Sequence, residues 1–212
     1  HLLVALDGTQ YFSSQKLGCD RCSTRTHKNG RVTYFHSAIL PVIVAPNQSE
    51  VIALAPELIR PQDGSDKQDC ELEAAKRWLH AHAKQFAGQP ITLLGDDLYS
   101  HQPLCQQCLA LGMNFILTAL PDSHPALYER LHVLDVLGAI QSLDIRQNQG
   151  KTPTLYRYRY TNLVPIRDAP PALLVHWCEL TVSDERTGQV LYHNAFITHH
   201  RLSDDTVAPV VA

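Results

Sequence analysis

Residues 91–121 read "ITLLGDDLYSHQPLCQQCLALGMNFILTALP", and the hydrophobic period changes twice inside that stretch. "ITLLGD" (91–96) follows the turn signal "GQP" as a short apolar run, the pattern of a strand buried in a core. "SHQPLCQQCLALG" (100–112) reads as helix, with Ser100 placed to cap its start and Gly112 to end it. "NFILTALP" (114–121) is a second buried strand. Strand, helix, strand at the centre of the chain predicts an α/β protein.

The upstream segments extend the same pattern. "DKQDCELEAAKRWLHAHAKQF" (66–86) lacks Gly and Pro, sets Leu72, Ala75, Leu79 and Phe86 near one helical face, and gathers acids at its start as the helix dipole favours. "RVTYFHSAILPVIVA" (31–45) is rich in β-branched and aromatic residues and predicts a long strand bent near Pro41. "EVIALAPELI" (50–59), after the turn signal "PNQS", predicts its antiparallel partner. The first run, "LLVALD", ends on Asp7. Residues 1–121 therefore form the expected core. Residues 122–199 contain a helix around "HPALYERLHVLDVLGAI" and three strand-like runs, "TPTLYRYRYTNLVP", "ALLVHWCELTVS" and "QVLYHNAFITHH", and are expected to be a β-rich insertion in the same domain. Residues 200–212 begin the return to the core.

Composition narrows the function classes. With 212 residues, 44% of them hydrophobic and 18% charged, the chain can bury a substantial core. Its apolar runs are broken by Pro, Asp or Gly well before the roughly 18 residues of a membrane-spanning helix, and no signal peptide is visible. A cytoplasmic protein without a membrane partner is expected. The net charge of −3 argues against a strongly basic surface that coats nucleic acid. A chain that opens on His1 and ends in "SDDTVAPVVA" is expected to be a fragment of something longer.

Six cysteines without a secretory signal predict reduced thiols. Cys19 and Cys22 make one C-x-x-C and Cys105 and Cys108 another. Two such pairs can build a four-thiolate zinc site, but the first lies in a turn-like stretch and the second in a helix. Buried structural thiols are expected for Cys105 and Cys108, with zinc at Cys19 and Cys22 as the secondary reading.

Two carboxylates carry the sharper expectation. Asp7 ends the first strand and Asp96 ends "ITLLGD". Ligands of open α/β sheets gather beyond the carboxyl ends of strands, so if these strands are parallel neighbours both acids project into one crevice. Carboxylates that close repel unless a cation lies between them. Two Mg2+ ions roughly 3.5–4 Å apart can activate an attacking oxygen and stabilise a leaving one, and hard carboxylate oxygens suit Mg2+ or Mn2+. The structural alternative is a turn at "DG" and capping by Asp97 or Ser100 within "GDDLYS".

The stretches "ALDGTQYFSSQKLGCDRC", "APELIRPQDGSDKQDCELEAAKRWL", "LLGDDLYSHQPLCQQCLALGMNFILTALPDSH" and "NAFIT" together resemble bacterial insertion-sequence transposases with a DDE catalytic domain. The resemblance implies a ribonuclease H-like fold, a mixed sheet flanked by helices with a β-rich insertion, here without the final catalytic helix. It implies Asp7 as the first catalytic acid and Asp96 as the second, supported by Tyr99 three residues on, with Asp97 as the fallback. The third acid, a glutamate, is expected beyond Ala212. Also implied are two Mg2+ or Mn2+ ions, double-stranded DNA (transposon ends and target) as partner, a homo-oligomeric active complex, nucleoid association, and DNA cleavage with strand transfer.

Other residues take two readings each. Asp63, Lys67, Gln68, Asp69 and Glu71 open the long helix as caps and dipole partners, or shape the site. In "YRYRY" (156–160), alternation places Arg157 and Arg159 on one strand face, where with Arg146, Lys151 and Arg167 they meet DNA phosphates or simply face solvent. The twelve histidines form no HExxH pattern, and His199 and His200 take no role. A phosphatase of the haloacid-dehalogenase type also uses an acid in "DGT", but it needs a nucleophilic Asp where Ala5 stands. An inactive DNA-binding remnant of a transposase is the non-enzymatic alternative.

Overall fold

A computed structural model describes residues 2–60, 69–86, 88–149 and 152–211. Asp63, Lys67, Gln68 and Lys151 lie outside the described residues. The chain is α/β and divides into two units, residues 1–94 with 110–113, and residues 95–109 with 114–212.

The first unit carries two sets of paired strands. In one, β1 (Leu2–Ala5) lies between β8 (Ile91–Gly95), to which it is parallel, and β5 (Val42–Val44), to which it is antiparallel. β6 (Ile52–Ala53) continues beyond β5. Val4, Ile91 and Leu93 are buried here, as runs of consecutive apolar residues require of strands covered on both faces. In the other set, β4 (Val32–Ile39) takes β2 (Gly8–Ser14) along one edge and β3 (Ser23–Thr26) and β7 (Glu57–Ile59) along the other.

The expected long strand at 31–45 is thus two strands in different sheets, and the break falls at Leu40 and Pro41. Proline lacks the N–H a continuing ladder needs. Leu40 N–H donates instead to the Asp7 carbonyl at 2.9 Å. The segment 50–59 likewise splits, its first half pairing with β5 and its second with β4.

α1 (Glu71–His82) packs against β4 and β7 and buries Ala74, Ala75, Trp78 and Leu79. Leu72 and Phe86, expected on this face, are only half-buried. Trp78 displaces them from the centre of the stripe, its indole N–H donating to the Ala55 carbonyl at 2.8 Å.

The second unit is an antiparallel sheet in the order β10 (Gln141–Gln149), β11 (Thr152–Pro165), β12 (Leu174–Asp184), β13 (Val190–Thr198), β9 (Asn114–Thr118). Tyr158, Tyr160, Cys178 and Leu180 face a core closed by Leu202 and by Val207 of α4 (Val207–Val211). α3 (Pro125–Val136) packs on β11, burying Leu127 and Leu131. α2 (Gln102–Ala110) buries Gln102, Leu104, Cys105 and Cys108, and the Gln102 amide clips the 171–173 segment by donating to the Pro171 carbonyl and accepting from Leu173 N–H. β10 corrects the expectation of three strands in this region, since "QSLDIRQNQ" is too polar to announce one. Among the described residues no helix is long and apolar enough to cross a membrane.

Candidate functional site

β1 and β8 run parallel from Leu2 opposite Ile91 to Ala5 opposite Leu94, and Leu6 N–H donates to the Leu94 carbonyl at 2.9 Å. The chain then leaves the sheet. Asp7, two residues past Ala5, is exposed. Asp96 stands the same two residues past Leu94 along its own strand and is exposed as well.

Glu71 adds a carboxylate in the first unit. A Cβ placed on Gly8 would fall onto the Glu71 carboxyl group, so Glu71 lies directly over the backbone that follows Asp7. The "DGT" glycine thus leaves room for an acid delivered by the first residue of α1.

Asp69, two residues earlier, does something different. Its buried carboxylate accepts from both Arg77 Nη atoms at 3.0 and 2.8 Å and from the N–H groups of Arg60 (2.9 Å) and Cys70 (3.0 Å). Burial alone would raise its pKa. The Arg77 guanidinium and the two amides outweigh that and hold it below the ordinary carboxylate value. Arg77 is in turn anchored to Glu57 at 3.0 Å. Asp69 therefore pins the start of α1.

In the second unit, "DDLYS" forms a 3₁₀ turn over Asp97–Tyr99, capped by Asp96, whose carboxylate accepts from Leu98 N–H at 2.9 Å. The two adjacent acids have separate tasks. Asp97 Oδ1 accepts from Leu120 N–H at 2.6 Å and its Oδ2 accepts from the Ser123 hydroxyl, so both oxygens are engaged in structure. Tyr99 is buried with its ring against Gly95, where an added Cβ would meet Tyr99 Cδ2 at 2.8 Å.

Ser100 does not cap α2, which starts at Gln102 with the His101 carbonyl accepting from Leu104 and Cys105. Its hydroxyl donates to the Asp97 carbonyl at 2.7 Å and lies 2.6 Å from His124 Nε2. Because the serine proton is used on the carbonyl, Nε2 carries the imidazole proton and donates to Ser100 Oγ. Burial holds His124 below the ordinary imidazole pKa, with His101 adding to the effect and Asp97 opposing it.

The arginines of "YRYRY" are both paired with acids. Arg157 makes a two-pronged bond to Asp144, its cross-strand partner, at 2.9 and 2.9 Å. Arg159 binds Glu179 at 3.0 Å and Asp135 at 2.7 Å. Tyr158 and Tyr160 occupy the opposite, buried face, as alternation requires. Asp204 and Asp205 sit in the turn before α4, where Asp204 accepts from the Tyr160 hydroxyl at 2.7 Å.

All six cysteines are thiols. Cys105 and Cys108 are fully buried, and burial pushes both thiols up, Cys108 to about 12. Cys19 and Cys22 adjoin His36 of β4. Sequence reasoning passed over His36 and His124, because nothing local distinguishes them. Glu71 was visible as part of "KQDCE", but its position over Gly8 was not.

No family model matches the chain, and no curated protein matches it. Among solved structures it is similar to the NurA nuclease from Sulfolobus solfataricus, at 13% identity over 99% of this chain and 71% of that one, with a TM-score of 0.35. At that depth the likeness bears on neither fold nor chemistry.

Proposed function

We propose that the chain is the catalytic part of a DDE-type transposase with a ribonuclease H-like fold that cleaves phosphodiesters in DNA with a divalent metal, and that Asp7 and Asp96 are catalytic and metal-binding acids. One observation carries the reading. The paired register of the parallel strands β1 and β8 ends with Ala5 opposite Leu94, and an exposed carboxylate follows each of these residues two positions on. Exposed acids following the carboxyl ends of parallel neighbours are where α/β sheets bind ligands.

The donor chemistry fits Mg2+ or Mn2+, since Asp7, Asp96 and Glu71, which lies against Gly8 next to Asp7, carry hard carboxylate oxygens. When bound, the ion supplies charge to a phosphodiester oxygen and lowers the pKa of an attacking water or 3′-hydroxyl. The chain's own part is positional. Asp7 follows β1 in the first unit, where Gly8 admits Glu71, and in the second unit the Asp96 cap to Leu98 N–H sets the turn that carries Asp96. Asp97 serves as scaffold rather than as a ligand, because both its oxygens already accept hydrogen bonds.

Double-stranded DNA is the proposed substrate and a homo-oligomer the working assembly. No DNA contact is placed on Arg157 or Arg159, whose charges are met by Asp144, Glu179 and Asp135. The test is nicking of supercoiled plasmid by the chain with Mg2+ or Mn2+, alongside Mn2+ binding measured by water-proton relaxation. Asp7→Asn and Asp96→Asn should each abolish nicking and weaken Mn2+ binding. Nicking undiminished in both variants overturns the assignment, and Mn2+ binding without any nicking in the parent chain favours the inactive-remnant reading.

A further inference from the structure

The strand register of the first unit brings a second, chemically different set of ligands together. Cys22 immediately precedes β3, whose Ser23 pairs with Phe35, and the next residue of β4 is His36, which pairs with Phe12 of β2. The 19–22 turn closes by Cys22 N–H donating to the Cys19 carbonyl at 3.0 Å, which folds the Cys19 side chain back over the same place. We propose that Cys19, Cys22 and His36 form a zinc-binding site.

The interatomic distances support a shared ion. Cys19 Sγ and Cys22 Sγ are 3.5 Å apart, and each lies 3.4 Å from His36 Nε2. Zinc bound tetrahedrally, with zinc–sulfur bonds of about 2.3 Å and zinc–nitrogen bonds of about 2.0–2.1 Å, requires edges of about 3.8 Å between sulfurs and about 3.6 Å from sulfur to nitrogen. The three atoms therefore outline one face of such a tetrahedron to within a few tenths of an ångström. A disulfide would need its sulfurs at about 2.0 Å and would leave the histidine without a task.

The surroundings prepare the ligands. Cys19 N–H donates to Cys22 Sγ at 3.2 Å, which fixes the Cys22 sulfur within the turn. Tyr11 stacks on the His36 ring at 5.8 Å and 12°, and Phe12 flanks it at 5.5 Å, so the imidazole is held with Nε2 toward the sulfurs. Two thiolates and an imidazole select zinc over magnesium or calcium. Among the described residues no other set of three such ligand atoms closes to within 4.8 Å. The ion would tie the 15–22 loop to β4, a role distinct from that of the carboxylates.

The experiment is metal analysis of the chain purified under reducing conditions, followed by replacement with Co2+. The expected result is about one zinc per chain and, with cobalt, the intense thiolate charge-transfer band and tetrahedral visible bands of a two-sulfur site. Cys19→Ser and His36→Ala should each lower the zinc content several-fold, whereas C105S should leave it unchanged. The cobalt spectrum of the parent chain makes the test independent of whether the variants fold. Zinc far below one per chain with no thiolate–cobalt band overturns the proposal. So does a Cys19–Cys22 disulfide in the purified chain together with no zinc uptake after reduction, which would mark a redox pair.

Discussion

Arg77 reaches back two helical turns to grip Asp69, its two Nη atoms 3.0 and 2.8 Å from the carboxylate oxygens, and the acid's side chain is entirely buried. The pair joins the α1 helix to the entry segment just before it, and Arg60 N–H and Glu57 extend the grip to β7. Removing one partner strands the other. Asp69→Asn should lower stability by about 2–4 kcal/mol, somewhat less than for a wholly buried pair because Arg77 is partly exposed. Urea denaturation measures it, and a change below about 1 kcal/mol would show that the pair does not hold the helix.

The pH dependence has two parts. Burial and the neighbouring His199, Arg201 and His200 lower the pKa of His176 from 6.5 to about 4. As pH falls below 6.5 the unfolded chain takes up a proton that the folded site refuses, so this stability is full above 6.5 and is lost down to about 4. Asp69 acts lower. With its folded pKa below 3.8, its contribution is present above that value and disappears as pH drops through the folded one. Thermal melts from pH 8 to 3 should show a first decline that His176→Gln reduces, the remainder coming from the depressed His124 and His200, with the lower decline unchanged.

Adjacent acids should separate function from stability. Asparagine is as good a helix cap as aspartate, so Asp96→Asn should keep stability within about 0.5 kcal/mol while abolishing metal-dependent nicking. Asp97→Ala deprives Leu120 N–H and the Ser123 hydroxyl of their acceptor and should cost about 2–3 kcal/mol. Equal destabilisation of the two variants in chemical denaturation would contradict this division.

Two glycines should respond differently to the same methyl group. In Gly95→Ala the new Cβ meets the Tyr99 ring at 2.8 Å and Leu117 at 3.1 Å, both packed in the core, and overpacking should cost about 1–3 kcal/mol. In Gly8→Ala it meets the end of the Glu71 side chain, which can swing aside. Stability should then change by less than about 1 kcal/mol, while Mn2+ affinity falls if Glu71 supports the Asp7 site. Unchanged Mn2+ binding in Gly8→Ala would remove Glu71 from that site.

Much of the architecture was legible in short windows. Strands lie within the apolar runs at 2–7, 91–96 and 114–121, a helix over Glu71–His82 lies within the 66–86 stripe, the bend expected near Pro41 is a break, and "YRYRY" divides into a buried and a charged face. Each follows from local sterics and from a period of 2 or 3.6 residues, which neighbouring side chains reveal without outside help. The candidate acids were legible for the same reason, since a strand end can be found from its own run. β10 was not legible, because an edge strand can be held by backbone hydrogen bonds that every residue can make. Nor did any local pattern say that Asp97 would be spent on Leu120 and Ser123, or that His36 would close on Cys19 and Cys22. Those contacts join residues 14 to 26 positions apart. Strand register and loop path, not composition, set such distances, so only the tertiary structure decided which acid is scaffold and which histidine meets the thiols.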